Sequence, residues 1–159
     1  MRAVVLTVSD RVGRGEAEDR SGPAAVAKLA EYGIEDVPVE VVEDGIASVQ
    51  EVLAALAASN DLIITTGGTG FSPRDLTPEA TRLVIDREAP GLAEAIRAAT
   101  FGKMPHGMLS RGVAGIAGST LIINLPGSVK AVEESLDVVG PALLHGIELL
   151  IGGQTDHNT

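Results

Sequence analysis

Cysteine is absent from the 159 residues, which excludes disulfides, thiolate zinc sites and a thiol nucleophile. Aromatic residues make up only 2% of the chain against 45% hydrophobic residues overall, so a core has to be built from Val, Ile, Leu and Ala. That composition suits a buried sheet covered by alanine-rich helices. Positive charge is scarce as well: 12 Lys and Arg face 22 Asp and Glu, for a formal net charge of -10. Nonspecific binding to nucleic acid or to an anionic membrane needs a basic face, so neither is expected as a partner. An anionic substrate stays compatible if backbone N–H groups, a few arginines and a divalent cation offset the protein's own field. The opening MRAVVLTVSD has neither a signal peptide's cleavage site nor the roughly 18 apolar residues of a membrane span, and a cytoplasmic location is expected. The histidines His106, His145 and His157 are too scattered to suggest a metal cluster.

What is present reads as strands alternating with helices. The length fits one domain able to bury roughly 70% of its unfolded surface, so residues 1–159 are read as a single domain with 152–159 a flexible tail. Arg2 to Val8 is a β-branched apolar run, the pattern of a central strand. Ser21 and Pro23 start a helix that Gly33 ends. A strand over Val37 to Val42 precedes a capping box, Ser48 with Glu51, and Leu62 to Thr66 is a third strand. After it comes a glycine loop ending at Thr77, a candidate N-cap followed by Pro78. From Thr77 to Phe101 the pattern predicts one helix ending near Ile85 to Glu88 and another from about Gly91. Val113 to Ala117 and Leu121 to Asn124 read as a hairpin about Gly118-Ser119-Thr120. Ser128 to Val139 and Pro141 to Leu150 read as two helices broken at Gly140-Pro141. The expected fold is a three-layer α/β domain: a doubly wound, mostly parallel sheet with helices on both faces and a C-terminal β-hairpin.

Ligands of such sheets bind beyond the carboxyl ends of the strands, where three polar loops fall: Ser9 to Gly22, Gly67 to Thr77, and Pro126 to Lys130. Gly67, Gly68 and Gly70 let backbone amides approach a phosphate, and Thr69 can add a hydroxyl, although a glycine turn after a buried strand can also be purely structural. Arg74 and Asp75, just before a helix, either hold a phosphate and Mg²⁺ together or serve as a solvated residue and a turn cap. Asp44 is either a second carboxylate for Mg²⁺ or a turn residue. Ser9-Asp10-Arg11 closes the first strand, with Asp10 either a ligand contact or the strand's end. Pro126-Gly127-Ser128 either offers amides to an anion, with Lys130 one turn on, or is a plain strand-to-helix turn. His106 lies in a loop with no partner apparent from the sequence.

Taken together, several stretches resemble the MogA/MoaB family of molybdenum-cofactor biosynthesis proteins, which includes the G domains of gephyrin and of its plant counterpart. They are Thr7 to Arg11, Asp19 to Gly22, the long segment Thr65 to Thr81, Leu109-Ser110-Arg111, and Gly118 to Gly127. The resemblance implies a homotrimeric α/β domain that binds molybdopterin and Mg-ATP, transfers AMP to the terminal phosphate of molybdopterin and releases pyrophosphate, the product passing to a molybdenum insertase. Carried over, the family's functional aspartates fall on Asp44 and Asp75, its nucleotide loop on Gly67 to Gly70, and further contacts on Asp10, Ser110, Ser119 and Gly127. The chain departs from the family at Glu43-Asp44-Gly45, where Pro-Asp is common. It keeps the Arg-Asp-Leu-Thr-Pro pattern from which MoaB-type members of doubtful activity tend to depart.

Attack of one phosphate on another brings two polyanions together, so catalysis has to come from alignment and charge neutralisation, with Mg²⁺ on Asp44 and Asp75. The alternatives are a non-catalytic molybdopterin carrier of MoaB type and a nucleotide pyrophosphatase of the kind found in competence-damage-like proteins.

Overall fold

Three apolar runs, β1 (Ala3–Val8), β3 (Leu62–Thr66) and β6 (Thr120–Leu125), are buried along their whole length, which requires a sheet covered on both faces. A computed structural model describing residues 1–152 places them at its centre. The six strands run in the order β2-β1-β3-β6-β5-β4, with β2 at Val39–Val42, β4 at Arg87–Glu88 and β5 at Ala114–Ala117. Strands β2, β1, β3 and β6 are parallel, whereas β5 is antiparallel to both of its neighbours. The expected doubly wound sheet and its hairpin are therefore both present.

Alternate strand residues point to opposite faces, and each face has its own core. On one, Val5, Ile64 and Ile123 pack beneath α2 (Ser21–Glu31), α5 (Pro90–Thr100) and α6 (Val129–Leu150). On the other, Val4, Leu6, Ile63 and Ile122 meet α3 (Ile46–Ala57) and α4 (Thr77–Arg82). A one-turn helix, α1 (Asp10–Gly13), follows β1. No helix among the described residues is long and apolar enough to cross a membrane.

Several local expectations are corrected. Helix α4 stops at Arg82, and the chain then enters β4, pairing Arg87 with Ile116 and Glu88 with Gly115. Gly115 makes this possible, because a side chain there would overlap Ile85 and the Arg87 carbonyl. Ser48 forms no capping box: α3 begins at Ile46, and the Ser48 hydroxyl lies near the carbonyls of Glu43, Asp44 and Gly45. Thr77 is the first residue of α4 and not its cap, its hydroxyl donating to the Gly67 carbonyl at 3.0 Å. Most plainly, α6 runs unbroken through Pro141. Proline forfeits one helical hydrogen bond, but Pro141 lies on the exposed side, and Leu136, Val139, Leu143 and Ile147 bury a continuous stripe that carries the helix past it. The tail expected over 152–159 lies, beyond Gly152, outside the described residues.

Gly140 sets how closely α2 and α6 approach, since a Cβ there would overlap the ring of Tyr32. Gly140→Ala is expected to cost about 1–3 kcal/mol by overpacking. Urea denaturation checks it, and the penalty should shrink in a Tyr32→Ala background where the space is empty.

Candidate functional site

The register Thr7–Thr66–Leu125 brings β1, β3 and β6 to an end at one level, so the loops after them leave the same edge of the sheet. The turn after β3 is squeezed between the other two. Gly67 donates its N–H to the Leu125 carbonyl at 3.1 Å, and at φ 93° a side chain on it would overlap the Val8 carbonyl oxygen. Gly68, at φ 65°, has no room either, because a Cβ would collide with the Thr77 hydroxyl and stand 3.1 Å from Asp44 Oδ1. A Cβ on Gly70 would lie 2.8 Å from Asp75 Oδ2. The backbone of this turn is thus bare where Asp44 and Asp75 approach it.

Asp44 owes its place to a reciprocal arrangement with Asp10. The Asp10 N–H donates to Asp44 Oδ2 at 2.8 Å, and the Asp44 N–H donates to Asp10 Oδ1 at 3.1 Å. Arg74 closes the clamp, its Nε and Nη2 on the Asp10 carboxylate at 3.0 and 2.9 Å and Nη2 also on the Asp44 carbonyl at 2.6 Å. The Arg74 guanidinium holds the Asp10 carboxyl below its ordinary range. Burial, then the carboxylates of Asp10 and Asp75, push the Asp44 carboxyl upward.

A second arginine supports the turn from the other side. Arg111 donates its backbone N–H to the Thr69 carbonyl at 2.8 Å and its Nε to the Gly70 carbonyl at 2.9 Å. Its Nη2 reaches the Asp75 carbonyl, and the guanidinium pairs with the carboxylate of Glu79.

The turn forms one end of a cleft of about 720 Å³ whose walls are α5, the 3₁₀ turn Pro105–Leu109, and the start of α6. Gly67, Gly68, Thr69, Gly70 and Asp75 line it, with Ser110, Pro126, Gly127 and Ser128. Ser128 caps α6 by accepting the Ala131 N–H at 3.3 Å, and no acidic residue occupies that helix's first turn, which leaves its dipole open to an anion.

Other expected contacts are not brought to the cleft. Ser9 caps α1, Arg11 is exposed on it, and Asp10 and Arg74 engage each other, so none of the four lines the cavity, and Asp44 meets the turn at Gly68 without joining the lining. Ser119 is displaced altogether: parallel pairing of β6 with β3 puts the exposed β5–β6 turn at the opposite end of the sheet. Conversely, Arg97, Lys103 and His106 line the cleft without having been singled out as site residues. The available signal was the pair of basic side chains flanking Pro105 in a loop that must return from a helix to β5 beside β6.

Among the described residues no three His, Cys, Asp or Glu side chains gather as a metal site. A cation here would have Asp44 and Asp75 alone, the remainder of its shell coming from ligand and water. Mg²⁺ bound by one or two carboxylates plus substrate phosphates has that requirement, and the upward push on Asp44 by its acidic neighbours is relieved by positive charge, so the residues fit.

Over residues 4–145 the chain matches a family model described as a probable molybdopterin binding domain. It is 39% identical over 158 residues to a molybdopterin adenylyltransferase of Helicobacter pylori, covering 97% of this chain and 90% of that protein. To gephyrin of Dictyostelium discoideum it is 45% identical over 157 residues, 92% of this chain but only 22% of that one. A solved structure of MogA superposes with a TM-score of 0.88 at 46% identity, covering 94% of this chain and 99% of that one.

Gly67→Ala, which meets both the positive φ and the Val8 carbonyl, is expected to lose more than about 1 kcal/mol and to shift the urea midpoint down. Glu79 generates a pH dependence. Arg111 holds its folded carboxyl below the ordinary 4.5, so the unfolded chain takes the proton first. The pair's stabilisation is full above pH 4.5 and is lost as pH falls through the lower folded value. Denaturation measured across that window is expected to fall less steeply for Glu79→Gln than for the parent.

Proposed function

Because the chain belongs to the MogA/MoaB family of molybdenum-cofactor biosynthesis proteins, we propose that it transfers AMP from Mg-ATP to the terminal phosphate of molybdopterin and releases pyrophosphate. The observation that carries this reading is the glycine turn at one end of a cleft, with Asp75 in the cleft's lining and Asp44 against the turn at Gly68, just outside that lining. A phosphate oxygen of molybdopterin forms a bond to the α-phosphorus of ATP as the bond from that phosphorus to the bridging oxygen of pyrophosphate breaks. Two polyanions have to be held in line for this, and alignment with charge neutralisation supplies the rate.

The amides of Gly68, Thr69 and Gly70 and the amino end of α6 receive phosphate oxygens, while Lys103 and Lys130 add positive charge at the cleft. Mg²⁺ held by Asp44 and Asp75 would neutralise the transferred and leaving phosphates. Arg74 keeps Asp10 from adding an uncompensated negative charge beside them. In this reading residues 1–159 act as one cytoplasmic domain, assembled as a homotrimer, that hands adenylylated molybdopterin to a molybdenum insertase. The match to a 22% portion of gephyrin supports a domain that cooperates with a further activity.

Incubation with molybdopterin, ATP and Mg²⁺ is expected to yield pyrophosphate, and Asp75→Ala and Asp44→Asn are each expected to slow its release about 100-fold or more. Release that is pterin-independent, or undiminished in Asp75→Ala, rejects the transferase. Pterin binding without ATP turnover would instead indicate a carrier.

A further inference from the structure

We infer that Arg111 is a positioning residue for this transfer: its guanidinium fixes the Gly67–Asp75 turn so that Asp75 and the turn's amides keep their places in the cleft. The inference rests on the reading of Asp75 given above. The side chains of Phe71, Ser72, Pro73 and Arg74 are all exposed, so no buried side chain anchors the outer part of the turn. Its shape depends on hydrogen bonds instead. Ser72 and Asp75 close it internally, Ser72 donating its N–H to Asp75 Oδ2 at 3.0 Å and Asp75 donating its N–H to the Ser72 carbonyl at 2.9 Å. Arg74 ties it to Asp10 and to the Asp44 carbonyl.

Thr77 joins the limbs at their base, donating its N–H to the Gly68 carbonyl and its hydroxyl to the Gly67 carbonyl; farther out Arg111 grips both, taking the Gly70 carbonyl on the way out and the Asp75 carbonyl on the way back, with Glu79 filling the rest of its fork. Its backbone N–H holds Thr69 as well. The guanidinium spends its donors on the turn and does not line the cleft, so it acts through Asp75 and the amides and not on the substrate. A lysine keeps the charge but not the planar set of donors that spans two carbonyls and a carboxylate.

Arg111→Lys and Glu79→Gln are compared with the parent protein by amide hydrogen exchange and by steady-state pyrophosphate release. In Arg111→Lys, exchange is expected to accelerate over residues 69–76 while the amides of β3 and β6 keep their protection. A misplacement on the order of 1 Å is expected to lower kcat about 100-fold while the KM for molybdopterin changes little. Glu79→Gln, which leaves both carbonyl bonds in place, is expected to retain more of kcat. Unchanged exchange in the turn, unchanged kcat, or acceleration spread evenly through the sheet overturns the inference, the last because it marks Arg111 as a scaffold residue only. If the parent releases no pyrophosphate, the transferase reading falls by itself. The ordering of the turn by Arg111 is then decided by exchange alone, where acceleration confined to residues 69–76 upholds it and unchanged exchange overturns it.

Discussion

At Gly67 three parallel strands end so close together that no side chain fits between the Val8 carbonyl and the turn after β6. This crowding governs what surrounds it. It demands a residue tolerant of φ 93°, aligns a bare backbone with the end of a cleft, and leaves Thr77, Asp75 and Asp44 against the turn. A glycine turn without such neighbours would be only a tight connection. Here the steric constraint and the placement of charge have one origin, the common level at which the strands stop.

Charge is the second constraint. The chain carries a formal -10, and Asp10, Asp44 and Asp75 concentrate part of that at the strand ends, yet the proposed substrates are themselves anions. Two arginines resolve the conflict without facing the cavity. Arg74 is committed to Asp10 and to the Asp44 carbonyl, and Arg111 to Glu79 and to the carbonyls of Gly70 and Asp75. Positive charge thereby stiffens the frame, while the cleft itself is lined by the glycine turn, the start of α6, and the side chains of Lys103 and Lys130, the latter beside Glu134.

The central strands and the glycine turn were legible because each has a local cause: a β-branched run, a residue that tolerates positive φ. What escaped was non-local. Strand β4 is two residues long and exists because Gly115 leaves room beside it, and α6 survives Pro141 because packing on its far side outweighs one lost bond. Arg74 looked available for phosphate, since nothing in the neighbouring sequence shows that Asp10, 64 residues away, would take it. Ser119 was carried to the site on resemblance alone, although a residue at the amino end of β6 cannot reach loops at the carboxyl end.

Strand β2 has only β1 beside it, spans four residues and exposes Val39 and Val41 at 37% and 44%. Asp44 hangs from the end of that margin, two residues past its last paired position, Val42. Edge segments open with less free energy than the whole domain, and one of the two acidic groups is mounted on an edge of the sheet. Opening of that edge would carry Asp44 away from Gly68 while the buried layers stay intact, so the metal-holding role proposed for it depends on the margin staying closed. The Arg74 clamp across Asp10 is what opposes that opening, fastening the border of the sheet to its middle.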